Sequence, residues 1–262
     1  MLPLAGSEPP NSPETLVTAL KTGLAARELT AKEVTTSGTW PALDSFMVDL
    51  TGVQVSRSHR VPTADSSHPA GFCAARFELV AAPASLESTP VQISLHAKDA
   101  EFEFASSVQG EFLLMMKRTA QGDVTVEVAR TEIERLLQKL ASEAAGPHGV
   151  EIKSTSLQVA QRGPRAVSLV AEITAKMFIA KATMTLTADL DLDDQLNLRP
   201  SNLQFHGDGM VASLAGGFIR PQLARLEGRA IPLVSFALGD MTLRDIQVNA
   251  GETLRFSAQF GI

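Results

Sequence analysis

The chain has 262 residues, 44% hydrophobic and 20% charged, with 23 Lys and Arg against 29 Asp and Glu for a formal net charge of −6. That is the composition of a globular protein with a substantial core, and its acidic balance, with no basic run, excludes a nucleic-acid binder that works by neutralising phosphates. One cysteine, Cys73, leaves no intrachain disulfide or cysteine zinc cage, and the absence of Tyr removes that side chain as acid, base or nucleophile.

Residues 1–11 carry three prolines and read as a flexible tail ahead of a single elongated domain over 12–262. The N-terminus has no basic region and too short an apolar stretch for a signal peptide, and no run reaches the ~20 apolar residues of a bilayer span. The expected location is cytoplasmic or peripheral to a membrane, or the envelope if Met1 is not the native start.

Ser12-Pro13-Glu14 predicts a helix start, with Leu16, Val17, Leu20 and Leu24 at helical spacing behind it. From Trp40 the period becomes two, through Phe46, Val48 and Leu50 and, after a polar loop at 56–71, through Phe77, Leu79, Val91, Ile93 and Leu95. The phase flips near Asp99, because Phe102 and Phe104 occupy even positions, so a turn or bulge is required there. A strand at Val124–Val128 then runs into a helix with Thr131 and Glu134 at capping-box spacing and an apolar stripe of Ile133, Leu136, Leu137 and Leu140, ended by Gly146-Pro147. Strands follow over Val150–Ala160, Ala166–Ala175, Met177–Leu192 and Leu203–His206, then a helix from about Met210 with Asp208 as its cap, and closing strands Met241–Val248 and Thr253–Phe260.

Met184 to Leu192 alternates apolar residues with Thr and Asp, as a strand with one wet face does in an antiparallel sheet. The fold class is α+β: about ten strands in long, strongly curved antiparallel sheets wrapped around three amphipathic helices, a helix-plus-meander plan used twice, over about 12–128 and 129–262.

No P-loop, dinucleotide fingerprint, nucleophile elbow, zincin motif or EF-hand loop is present. His206 and Asp208 read as a glycine turn rather than half a metal site, and Asp189, Asp191, Asp193 and Asp194 as a solvated face rather than a calcium site. His96, near Asp99, Glu101 and Glu103, falls on an exposed strand face, His148 is a turn residue, and His59 and His68 lie in the polar loop. Cys73 reads as a small buried hydrophobe. No catalytic residue, cofactor or metal is expected.

Apolar residues on both faces of Phe112–Met116 and of Met177-Phe178-Ile179 require a cover on the second face: a helix, a neighbouring subunit, or an apolar ligand in a groove between helix and sheet. Arg220, Arg225 and Arg229 gather positive charge in and after the third helix, where a phosphate head group could meet them.

In its order of parts the chain resembles the LmeA-like phospholipid-binding family. The segments that carry the likeness are VEVARTEIERLL (Val126–Leu137), VEIKSTSLQV (Val150–Val159), the long strands through Asp194-Gln195-Leu196, the helix from Met210, the closing stretch Ile231–Phe256 and LDSFMVDLTGVQVSR (Leu43–Arg57). The resemblance covers roughly residues 12–260 and rests on arrangement and hydrophobic pattern. It implies a curved sheet around a long helix, like the tubular lipid-binding fold of bactericidal permeability-increasing and synaptotagmin-like mitochondrial lipid-binding proteins, with phospholipid in an apolar groove and no catalysis. Facing then nominates Ile133, Leu136, Leu140, Met177, Ile179, Leu214 and Phe218 as groove lining, with Arg220 and Arg225 for the head group. The partners expected are phospholipid or another amphiphile and a membrane surface; the alternative is a homo-oligomeric scaffold, a homodimer in the simplest case, with no lipid.

Overall fold

The computed structural model of the protein describes residues 1–6, 8–55, 64–86, 89–178, 180–233 and 242–262, with side chains at 69, 144, 148 and 232 left aside. Ile179, His59, the side chain of His148 and the expected strand start at Met241 lie outside the described residues. The protein is α+β and mostly strand. Its first part holds β1 (Leu2–Leu4), α1 (Pro13–Ala25), β2 (Glu33–Thr39), β3 (Ala42–Asp49), β4 (Gln54–Val55), β5 (Ala64–Leu86), β6 (Thr89–Ser107), β7 (Phe112–Arg118) and β8 (Gln121–Ala129). There follow α2 (Arg130–Ala145), β9 (Glu151–Gly163), β10 (Ala166–Met177), β11 (Ala180–Leu192), β12 (Asn197–Gly207), α3 (Gly209–Leu226), β13 (Ile231–Pro232), β14 (Leu243–Asn249) and β15 (Thr253–Phe260).

The chain divides into two compact units: Met1–Glu127 with Val234–Asp245 and Ser257–Ile262, and Val128–Leu233 with Ile246–Phe256. The last strands are shared between the units, which periodicity along the chain could not show.

In the first unit, α1 starts as read: Ser12 Oγ accepts the Thr15 N–H at 3.2 Å, Thr15 Oγ1 accepts the Ser12 N–H at 3.0 Å, and Leu16, Leu20 and Leu24 are buried. The sheet runs β14-β15-β8-β6-β5-β3-β2, with β7 beside β6 and β4 beside β5. Because β3 pairs with β5 in parallel, a plain meander does not describe this half. Its core is a cluster of Phe46, Phe72, Phe77 and Phe102 with ring centroids 4.8 to 5.8 Å apart.

Residues 2–4, expected in a loose tail, form β1 instead, antiparallel to β7 with Leu2 opposite Leu114 and Leu4 opposite Phe112. Proline-rich flanks do not prevent Leu2 and Leu4 from being buried. Leu113 and Leu114 of β7 are both buried, as two-faced packing requires, and α1 lies over β1, the next strand in this ladder. Residues 64–71, expected in a loop, belong to β5.

The phase flip near Asp99 is present. Asp99 adopts φ 50, the burial alternation shifts by one on passing it, and β6 exchanges β8, its partner through Lys98, for β7, its partner from Glu101.

The second unit is a helix followed by a true antiparallel meander, in the order β13-β12-β11-β10-β9. On β10, Val167, Ala171, Ile173, Ala175 and Met177 are buried on one face, while Ser168, Glu172 and Lys176 point to the other. Both α2 and α3 lie on the apolar face, α2 on β9 and α3 mainly on β12 and β11. Of the residues expected in a two-faced strand here, Met177 ends β10 inside the core, and Phe178 sits in the turn to β11 at φ 54, 86% exposed.

Candidate functional site

The site is built where α2 and α3 meet the sheet of the second unit. The capping box read at the start of α2 does not form: the N-cap is Ala129, Thr131 caps nothing, and Glu132 binds Arg135 at 2.7 Å. Glu134 is used elsewhere, accepting the backbone N–H of Leu157 on β9 at 2.9 Å. Because β9 is the outer strand, that N–H has no neighbouring strand to bond, and a helix carboxylate takes the place of one.

At the far end of α3, Glu227 accepts the N–H groups of Asn202 at 2.9 Å and Leu203 at 3.1 Å. Asn202, with φ 52, stands at the register shift between β11 and β12, so a carboxylate closes the gap the bulge leaves in the ladder. Asp208 occupies the N-cap position of α3 without a side-chain cap bond, and Pro221 lies inside the helix. The pair Gly216-Gly217, read as disturbing the helix, is helical: at Gly216 α3 approaches the Phe205 ring so closely that a Cβ would stand 3.1 Å from it.

Each helix is thus tied to its own strand, and the two touch each other little. Between them is a narrow crevice. Ala141 and Ala145 of α2 form one wall, Ile152, Ile173 and Met184 the floor, and Ala215, Phe218 and Ile219 of α3 the other wall. About 280 Å³ of space lies between these atoms, the open mouth included, of which about 10 Å³ can receive the centre of a water molecule. Every lining side chain is apolar, so the space holds no hydrogen-bonding partner for water.

Of the nominated lining residues, Phe218 reaches this crevice. Ile133 and Leu136 are half-buried further along α2, Leu140 and Leu214 are 50% and 42% exposed on the outer sides of their helices, and Met177 is part of the core beneath. Arg220 lies with its guanidinium carbon 5.9 Å from the centre of the Phe205 ring, at the floor of the same unit, and Arg225 is exposed in the last turn of α3. Reasoning from large apolar residues missed Ala141, Ala145 and Ala215. The signal that finds them is small residues at i, i+4 on the inner faces, which leave space where large ones fill it.

The aspartate series is satisfied by the protein itself. Asp189 is held below the usual carboxylate range, first by the Ser168 hydroxyl at 2.6 Å and then by Asn202, while Asp191 and Asp194 pair with Arg162 and Arg165. Burial alone would raise Asp193, but the side chain and N–H of Asn197, the N–H of Gln195 and the Arg199 guanidinium outweigh it and hold the carboxyl at about 2. His96 does not face Asp99: it lies between Asp123, at 3.1 Å, and Glu78, at 3.6 Å. Among the described residues no cluster of His, Cys, Asp or Glu could hold a metal.

Cys73 is exposed, not buried as expected, because the alternation of β5 sends Phe72 and Ala74 inward and Cys73 out. It borders an open cleft of the first unit, about 600 Å³, beside His68, Glu101, Glu103 and Lys117. That cleft is polar and its charges are neutralised locally, Glu103 by Lys117 at 3.2 Å and Glu101 by Arg118.

No protein-family model matches the chain, and neither a curated protein nor a solved structure matches it. The geometry therefore carries the functional argument alone. Among the described residues no helix is long and apolar enough to cross a membrane.

Proposed function

We propose that the protein binds phospholipid or another amphiphile without catalysis, taking acyl chains between α2, α3 and the sheet of the second unit. The observation that carries this reading is the crevice: a wholly apolar seam beneath two helices anchored to different strands. Its present width admits no chain, so uptake moves one helix outward; the carboxylate ties at Glu134 and Glu227 hold each helix to its strand while the seam widens. A chain that enters is driven by apolar burial at about 25 cal/mol per Å². Phe218 borders the widened path, with Ile133 and Leu136 further along α2 and Met177 in the core beneath. Arg220 and Arg225 stand on the same helix for an anionic head group. The likeness in arrangement to the LmeA-like family and its tubular fold agrees with this reading, as does a role in carrying lipid at a membrane surface.

The test is mass spectrometry of an organic extract of the gel-filtered protein beside native mass spectrometry of the intact chain. Lipid at a fixed stoichiometry, lost in folded Phe218→Asp and Leu136→Asp variants, is expected; a clean protein that also refuses added phospholipid overturns the reading. A second reading is favoured by the outward positions of Leu140 and Leu214: the same surface closes against another copy of the chain in a scaffold. Light scattering that shows a concentration-independent monomer removes it.

A further inference from the structure

The β10–β11 hairpin of the second unit ends in an arrangement that local sheet physics disfavours. Phe178, in the turn, is 86% exposed and makes no ring contact among the described residues. Directly behind it Lys176 and Lys181 are cross-strand partners, so both ammonium groups leave the same face of the sheet. Like charges directly opposite one another are destabilising, and a bare aromatic ring at a hairpin tip gains nothing from its own fold.

The surroundings do not neutralise the pair. On the neighbouring strand Glu151 stands opposite Lys176 but is already engaged by Lys153, so that face of the tip carries Lys153, Lys176 and Lys181 against one carboxylate. Arg162, Arg165 and Arg199 of this unit behave otherwise, each paired to an aspartate. In a chain of net charge −6, an unneutralised lysine pair behind an exposed ring is a local exception. The apolar character continues on this end of the unit, where α3 begins with Met210, 65% exposed, close to the point at which Gly207 pairs with Met184.

We infer that this hairpin tip docks on an anionic lipid bilayer, Phe178 entering the interface between head groups and acyl chains and Lys176 and Lys181 meeting the phosphates. An aromatic ring at interfacial depth with cations just above it is the arrangement that a charged membrane surface rewards. The tip is separate from the crevice, so docking does not require that the crevice holds lipid, and either can fail alone.

The experiment is co-sedimentation of the full chain with vesicles of phosphatidylglycerol and phosphatidylcholine in equal parts, beside vesicles of phosphatidylcholine alone. Binding to the anionic vesicles only, weakened by salt at about 0.5 M, is expected. Lys176→Gln and Lys181→Gln should each lower the affinity about fivefold, and Phe178→Ser should lower it with no salt dependence of the loss. These side chains lie outside the core, so circular dichroism should match wild type and the thermal midpoint should not fall, with a small rise where either lysine of the opposed pair is removed. No sedimentation with anionic vesicles overturns the proposal, as do equal losses in a control that replaces Lys21 on α1. Light scattering that shows a dimer dispersed by Phe178→Ser, with no vesicle binding, assigns the tip to a second copy and overturns it too.

Discussion

Glu134 of α2 accepts the backbone N–H of Leu157 at 2.9 Å and so completes the outer edge of a sheet with a side chain. The contact joins a helix, chosen by its apolar stripe, to a strand chosen by its alternation, at one atom of each. Leu157 is buried, so its N–H has no easy replacement partner. Glu134→Ala should therefore cost about 1 to 3 kcal/mol, and Glu134→Gln less, since the amide oxygen still accepts. Urea denaturation of both variants checks this; equal losses would show that the carboxylate acts through helix electrostatics instead.

Asp193 makes stability depend on acid. Its folded value of about 2 is below the ordinary 3.8, so the unfolded chain takes up the proton first as pH falls. Its stabilising contribution is whole above about pH 4 and is lost between there and about pH 2. Asp193→Asn should be less stable than wild type near neutrality, and the gap should close as the pH is lowered through that window. Urea midpoints measured across it test the sign; a gap unchanged at the acid end counts against the assignment.

Met184, 1% exposed, is both core and crevice floor. Met184→Ala should destabilise by about 2 to 5 kcal/mol and leave a larger apolar void. Such voids stay dry and accept small apolar guests, so benzene should raise the thermal midpoint of the variant more than that of wild type. Calorimetry with and without benzene measures both effects.

Gly122 of β8 sits under the ring of Phe260, where an added Cβ would overlap the ring carbons. Phe260 is fully buried and cannot swing into solvent without exposing the core. Gly122→Ala should cost about 1 to 3 kcal/mol, and adding Phe260→Leu should cost less than the sum of the two single changes. A double-mutant cycle in urea reads the coupling; strict additivity would place the strain elsewhere.

Much of the fold was legible because burial on one face writes a period into the chain. The flip at Asp99, the start of α1 at Ser12 and the wet and dry faces of β11 all follow from that rule. Where reading failed, a competing partner won. Thr131 and Glu134 have capping-box spacing, yet Glu134 gains more from an edge N–H than from the helix end. Cys73 lies between Phe72 and Ala74 and so faces out, although the composition of its neighbours suggested burial. Met177 and Phe178 read as one strand because an apolar run can continue unbroken from a strand into its turn. The candidate site was less legible still: large apolar residues mark where a protein is filled, and the crevice exists where Ala141, Ala145 and Ala215 leave it unfilled.

By itself the sequence determined the three helices and most of the strands, which side of each seeks burial, and that these 262 residues form no disulfide with one another and no cysteine zinc cage, because these depend on local spacing and residue type. Only the tertiary structure decided that β3 pairs with β5 in parallel, that β1 joins β7, that the closing strands are shared between two units, and that α2 and α3 leave an apolar seam between them. Those outcomes depend on partners far apart in the chain, chosen by the total area buried and the backbone groups satisfied, and no local period records that choice.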